Sequence, residues 1–205
     1  MPGHFEPIPG GGAAVSLDEV EISIIRSLAV QLLELVGPGT GGDADASTDP
    51  LAELFTDGPT EPPADPVLRR LLPDAYEGPD APSGSAQEAA ERTARSSEFR
   101  RFTENDLRAR KREDALALVR TLDGLSPDGD GDGTAELRLT AEDGRRWLGA
   151  LNDLRLAIGT RLEISDEDDA DLLYRLPDTD PRKPMVMAYL WLGGLQETLV
   201  TTLMP

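Results

Sequence analysis

At 205 residues the chain is long enough to bury one real core, and its formal charge of −19, from 39 acidic against 20 basic side chains, sets its long-range field against nucleic acid and anionic membrane. There is no cysteine, which excludes disulfides, thiolate zinc sites and a thiol redox switch and leaves four methionines as the only sulfur for redox chemistry. The longest apolar run, Met185 to Leu195, is about half of what a bilayer requires, and the opening MPGHFEPIPGGG has neither the basic nor the apolar part of a secretory signal, so a soluble cytoplasmic protein is expected.

In chain order, His4 to Ile8, the glycines at 10 to 12 and Ala13 to Leu17 predict a hairpin. Phe5, Val15 and Leu17 share a face, and Pro7 and Pro9 confine the first strand to an edge. Asp18 and Glu21 then form an acidic capping pair for a helix striped by Ile25, Leu28, Leu32, Leu35 and Val36 and stopped by Gly37-Pro38-Gly39. Residues 37–66 read as a flexible acidic connection with a helical turn or two at Pro50 to Phe55. Asp65 and Pro66 start a short helix that Pro73 ends, and Tyr76 is a docking aromatic. Gly78 to Gly84 is a second loose tract.

Ser85 and Glu88 form a capping box for a helix-prone segment running to Leu122, with a break or bend expected at Thr103 to Asp106, where Thr, Asn and Asp offer a fresh cap. This segment carries +2, against −12 before it and −9 after it. Its basic island, Arg100, Arg101, Arg108, Arg110, Lys111 and Arg112, is the candidate partner-binding site. The interleaved acids Glu98, Glu104, Asp106, Glu113 and Asp114, or the acidic remainder of the chain, could equally neutralise it.

Residues 123–134 read as a second acidic Pro/Gly loop. Leu137 to Leu139 alternate as a short strand, and Thr140 with Asp143 caps a central helix whose stripe is Trp147, Leu151, Leu154, Ile158 and Leu162; Arg145, Arg146, Asn152, Asp153, Arg155 and Arg161 lie off the stripe, and Gly159 is a bend or cap near its end. Ser165 caps a short acidic helix, Asp166 to Tyr174, and Pro177 to Pro184 is a linker. The last helix, Met185 to Leu203, is apolar almost all round at first, including Tyr189 and Trp191, which marks burial on most sides or a contact with another subunit.

A shift of 122 positions lays the first strand-cap-helix unit on the central one, bringing Leu17 onto Leu139, Glu21 onto Asp143 and Ile25 onto Trp147. Two readings stay open: the units are pseudo-equivalent, with their strands side by side in one sheet, or any two capped amphipathic helices would align this well. The fold class expected is mainly α, five to six helices with a small sheet from the hairpin and the strand before the central helix, in one domain over 1–205. Its core is expected to contain Ile25, Leu28, Leu32, Trp147, Leu151, Leu154, Ile158, Tyr189 and Trp191.

Asp128 to Gly133 imitates the first half of an EF-hand loop, but Leu139 stands where the twelfth position needs a bidentate glutamate and a strand pattern follows, so the loop reads as solvated, with no metal site. His4 is the only histidine and is read as incidental. No carboxylate pair sits in an apolar setting, and no phosphate-cradling glycine loop is present, so neither a catalytic residue nor a cofactor is expected and the chain is read as no enzyme.

LRRLLPDAY at 68–76, FRRFTENDLRARKRE at 99–113, LTAEDGRRWLGALNDLRLAIGTRL at 139–162 and YLWLGGLQETLV at 189–200 together resemble an actinobacterial family long filed as a domain of unknown function and now described as oxidative-stress transcriptional regulators. The resemblance implies a small cytoplasmic protein, usually encoded near the ClpS protease adaptor, that works with a stress sigma factor and RNA polymerase. The family's redox response uses a nearby cysteine pair, and this chain has no residues to carry it. The expected function is therefore transcription-associated regulation through protein–protein contacts, without direct DNA binding and without a membrane, and with a homodimer through the C-terminal helix as one form of contact. The alternative is a non-enzymatic adaptor of ClpS-type proteolysis.

Overall fold

A computed structural model describes residues 3–37, 58–76, 85–126 and 133–204. The turn expected at Pro50 to Phe55, the tract at 78–84 and most of the EF-hand-like loop lie outside these residues. Among them are three strands, β1 (Glu6–Pro7), β2 (Ala13–Asp18) and β3 (Thr134–Leu139), and six helices, α1 (Glu19–Val36), α2 (Pro66–Leu71), α3 (Ala86–Asp123), α4 (Ala141–Arg161), α5 (Glu167–Tyr174) and α6 (Lys183–Leu203). The mainly helical class with a small sheet is thus the observed one. The residues group into two compact units, one from 1–35 and 111–205, the other from 36–110.

In the first unit the antiparallel sheet runs β1-β2-β3. Proline at 7 cannot donate to a ladder, which suits the edge position β1 takes. The turn into β2 needs glycine at residue 12: its φ is +119°, and a β-carbon there would meet the Leu139 carbonyl oxygen at 2.3 Å. Val15 pairs with Leu137, and the flanking pairs Leu17–Ala135 and Ala13–Leu139 exchange places under a shift of 122. The two strand-cap-helix units therefore meet about a local two-fold through Val15 and Leu137, which resolves the alternatives in favour of strands lying side by side.

Both caps form. Asp18 and Glu21 exchange backbone-to-carboxylate bonds of 2.7 and 3.0 Å, and Thr140 accepts from the Asp143 amide. Gly159 is neither bend nor cap. It lies buried inside α4, where a β-carbon would press on the Tyr189 ring at 3.3 Å, and the helix ends instead at Glu163, in the left-handed conformation, with the Ile164 amide returning to the Gly159 carbonyl. α5 starts one residue later than expected because Asp166, not Ser165, receives the Asp169 amide. α6 starts two residues earlier than expected, since Pro184 falls in its first turn, where the missing N–H costs nothing.

The core of this unit lies between the sheet, α4 and α6. Trp147, Leu151, Leu154 and Ile158 face Leu192, Leu195 and Leu199, with Phe5, Leu17, Leu137 and Leu139 beneath the sheet. Trp147 is fully buried; its Nε1 donates to Thr121 Oγ1 and Phe5 meets its ring edge-on at 6.0 Å. On α1 the buried side chains are Ile25, Ala29, Leu32 and Val36, so Leu28 is left half-buried, as are Tyr189 and Trp191 on α6.

In the second unit α2 is capped by Asp65, which accepts from the Val67 and Leu68 amides, and it buries Val67 and Leu71. Ser85 and Glu88 cap α3 as a reciprocal box, which holds the Glu88 carboxyl below its ordinary pKa. The break expected at Thr103 to Asp106 does not occur, and α3 is one helix of 38 residues. The Thr103 hydroxyl bonds to the Phe99 carbonyl inside the helix, and Glu104 is locked by arginines one turn away on either side, so neither is released to cap a new start.

A helix with its charged stripe inside

The candidate site is α3 from Arg95 to Arg112, where the usual polarity of a surface helix is reversed. Arg100, Glu104, Arg108 and Arg112 recur at steps of four and make one stripe. Arg100 is only 4% exposed: its guanidinium donates to the Leu72 carbonyl at 3.0 Å and to Asp74 at 2.9 Å, and it pairs with Glu104, itself buried. Burial works against the Arg100 charge, but hydrogen bonds and charge from Asp74 and Glu104 outweigh it and raise its pKa. Arg108 closes the cluster on Glu104 at 2.8 Å and donates to the Val36 carbonyl at 2.6 Å.

In the first unit Arg112 donates to the Leu33 carbonyl, while Lys111 meets Asp153 of α4 at 2.6 Å. α1 has no basic residue in its own last turn, so Arg112 supplies a cation to its last carbonyls from outside. Asp153 is 3% exposed, not on a solvated face as its place off the stripe implies. Burial pushes its carboxyl above the ordinary range, against the lowering pull of the Lys111 ammonium. Four of the six island residues, Arg100, Arg108, Lys111 and Arg112, thus act inside the fold, leaving Arg101 and Arg110 exposed.

The opposite flank of α3 carries the apolar groups. Phe99 and Phe102 are exposed, the latter by 63%; Arg101 lies over the Phe102 ring at 5.3 Å, and Tyr76 meets Phe99 edge-on at 6.2 Å. Arg95, Asp106 and Arg110 sit on the same flank by helical spacing and are exposed. Beside it a cavity of about 200 Å³ is walled by Leu72, Pro73, Ala75, Phe99 and Leu107, and the Arg100–Glu104 pair reaches its lining. The expected break at Thr103 to Asp106, immediately after these two residues, obscured this face in the sequence; the signal available was two phenylalanines three residues apart in a segment otherwise as polar as this one.

His4 pairs with Glu6 at 3.2 Å on the exposed sheet surface. Among the described residues no group of three or more His, Asp or Glu is placed to hold a metal ion, and no helix is long and apolar enough to cross a membrane. A family model described as "Domain of unknown function (DUF2017)" matches residues 3–203. The chain belongs to that family. DUF2017 relatives include proteins named "Oxidative stress regulator AosR" in Mycobacterium bovis and Mycobacterium tuberculosis, each 33% identical over 191 residues that cover 92% of this chain and 81% of the relative. A Mycobacterium leprae protein named "Putative oxidative stress regulator AosR" is 34% identical over 191 residues, covering 90% of this chain and 79% of its own. No solved structure is significantly similar to the chain.

Proposed function

We propose that this chain is a soluble, cytoplasmic, non-enzymatic regulator that acts through protein–protein contacts in transcription, with a stress sigma factor or RNA polymerase as partner, and that the face formed by Phe99 and Phe102 of α3 together with Tyr76 makes the contact. The relatives' names support a regulatory role. The observation that carries the surface is the reversal along α3, where the cations are bonded inside and the aromatic side chains stand in solvent. Exposed aromatics beside arginine are the residue types that anchor protein interfaces. The same internal bonding argues against duplex recognition, since most of the cations able to neutralise phosphates are already used and the net field is −19.

The test is binding of purified RNA polymerase, with and without a stress sigma factor, to the parent and to F102E, a site that is 63% exposed. The parent is expected to bind and the variant to bind at least tenfold more weakly, with unchanged melting. Binding that is equal for both places the contact elsewhere. A parallel pull-down of the parent from native lysate that recovers ClpS or protease subunits and no polymerase replaces the reading with the proteolysis adaptor.

A further inference from the structure

The two edges of the sheet are built differently. The β1 edge is two residues long and contains a proline, both of which discourage pairing. On the other side β3 presents six residues, TAELRL, with no proline, and its register with β2 runs through six consecutive pairs without a bulge. Among the described residues no strand pairs with its outer side. Alternate residues of such an edge turn their N–H and C=O groups outwards. An edge is commonly guarded by like charges, yet in a chain of net −19 the two exposed side chains here are one acid and one base, Glu136 and Arg138, paired along the strand at 2.8 Å.

We propose that β3 is a self-association edge, through which two copies of this chain join antiparallel about Leu137 into a continuous sheet of order β1-β2-β3-β3-β2-β1. The strand specifies this register itself. Centred on Leu137, pairing sets Glu136 opposite Arg138 of the second copy in both directions, and with the pairs already formed along each strand the four side chains make a square of alternating sign. A slip that centres the pairing on residue 136 or 138 sets Glu136 against Glu136 or Arg138 against Arg138 of the second copy, which like charges oppose. On the inner face Ala135 meets Leu139 of the second copy and Leu137 meets Leu137, so the buried side stays apolar across the joint. It is an isologous two-fold contact, closed at the dimer, and it repeats the geometry of β2 on β3, which is centred on the same residue. The inference does not depend on which protein the α3 face binds.

Sedimentation velocity of the full chain over a range of concentrations tests it. The parent should pass from monomer to dimer as concentration rises. E136R and R138E, each of which sets like charges opposite one another, should dimerise about tenfold more weakly while melting as the parent does. An equimolar mixture of the two, one of them tagged, should form mixed dimers, and E136R/R138E should recover the parent's behaviour. A parent that stays monomeric at the highest concentration reached overturns the proposal. So does a dimer indifferent to both single reversals, since its interface would then lie elsewhere, for instance on the exposed methionines of α6.

Discussion

Replacing Arg100 with glutamine separates a structural basic island from a surface one. The Arg100 side chain is 4% exposed, its partner Glu104 is 2% and Asp74 is 15%, so the change leaves two carboxylates in a poorly hydrated place with Arg108 as the remaining cation. Breaking a buried ion pair from one side costs about 3 to 5 kcal/mol, because the abandoned charge keeps its desolvation penalty. For a domain of this size that corresponds to a fall in Tm of roughly 6 to 20 °C. Arg101→Gln is the control: Arg101 is exposed, and surface charges of that kind contribute less than about 1 kcal/mol. Thermal unfolding followed by circular dichroism reads both, and urea unfolding gives the free energies directly. R100M/E104M, which removes charge from both sides, is expected to recover at least half of the loss. If R100Q melts within a degree or two of R101Q, the buried-stripe account of α3 is wrong.

Trp147→Ala should cost about 3 to 5 kcal/mol in chemical unfolding, from lost transfer energy and the cavity left between sheet and helices; a loss under about 1 kcal/mol contradicts its central place. Gly12→Ala should destabilise by more than about 2 kcal/mol, since strain at a positive φ is joined by a clash with a backbone oxygen that cannot move aside; Gly10→Ala, at a positive φ but in open space, should cost only about 1 kcal/mol, and equal melting of the two variants refutes this. Asp153 has a raised pKa in the folded state, so the stability it contributes is fully present below the unfolded-state value near 4 and is lost as pH rises through the folded value. The stability of the parent minus that of D153N, followed from about pH 4 upwards, should therefore fall, and a rise refutes the assignment.

Local signals gave most of the fold because caps and stripes are local physics. Asp18 with Glu21, Thr140 with Asp143 and Ser85 with Glu88 are each satisfied within four residues of one another, and their chemistry fixes a helix start wherever the helix later packs. Even the pairing of β2 with β3 left a trace, in the shift that superposes the two units. What the sequence hid was decided by distant partners. Thr, Asn and Asp at 103–106 have the composition of a break, and only the arginines around Glu104 hold the helix through it. Arg112 and Arg108 look like solvent-facing cations because the carbonyls they bond, on Leu33 and Val36, lie more than 70 positions away. Asp153 is one residue from the apolar stripe, and nothing nearby announces the lysine 42 positions upstream that allows a carboxylate to be buried there.

The backbone of Phe5 is held at both polar atoms by the last helix: its amide donates to Thr198 Oγ1 and its carbonyl accepts from the Thr202 hydroxyl, across 193 and 197 positions. During synthesis the first strand is therefore made long before the groups that clasp it, and its ladder partner β2 must likewise wait for β3. Contacts this distant in sequence slow folding, since the loop must close before any bond rewards it. A nascent chain would spend its elongation with the hairpin unlatched and the Trp147 side of the sheet uncovered, open to chaperones and proteases until α6 emerges. Deleting the final turn of α6 would then act at the opposite end of the chain, loosening β1 first and fraying the sheet from the edge that proline was placed to protect.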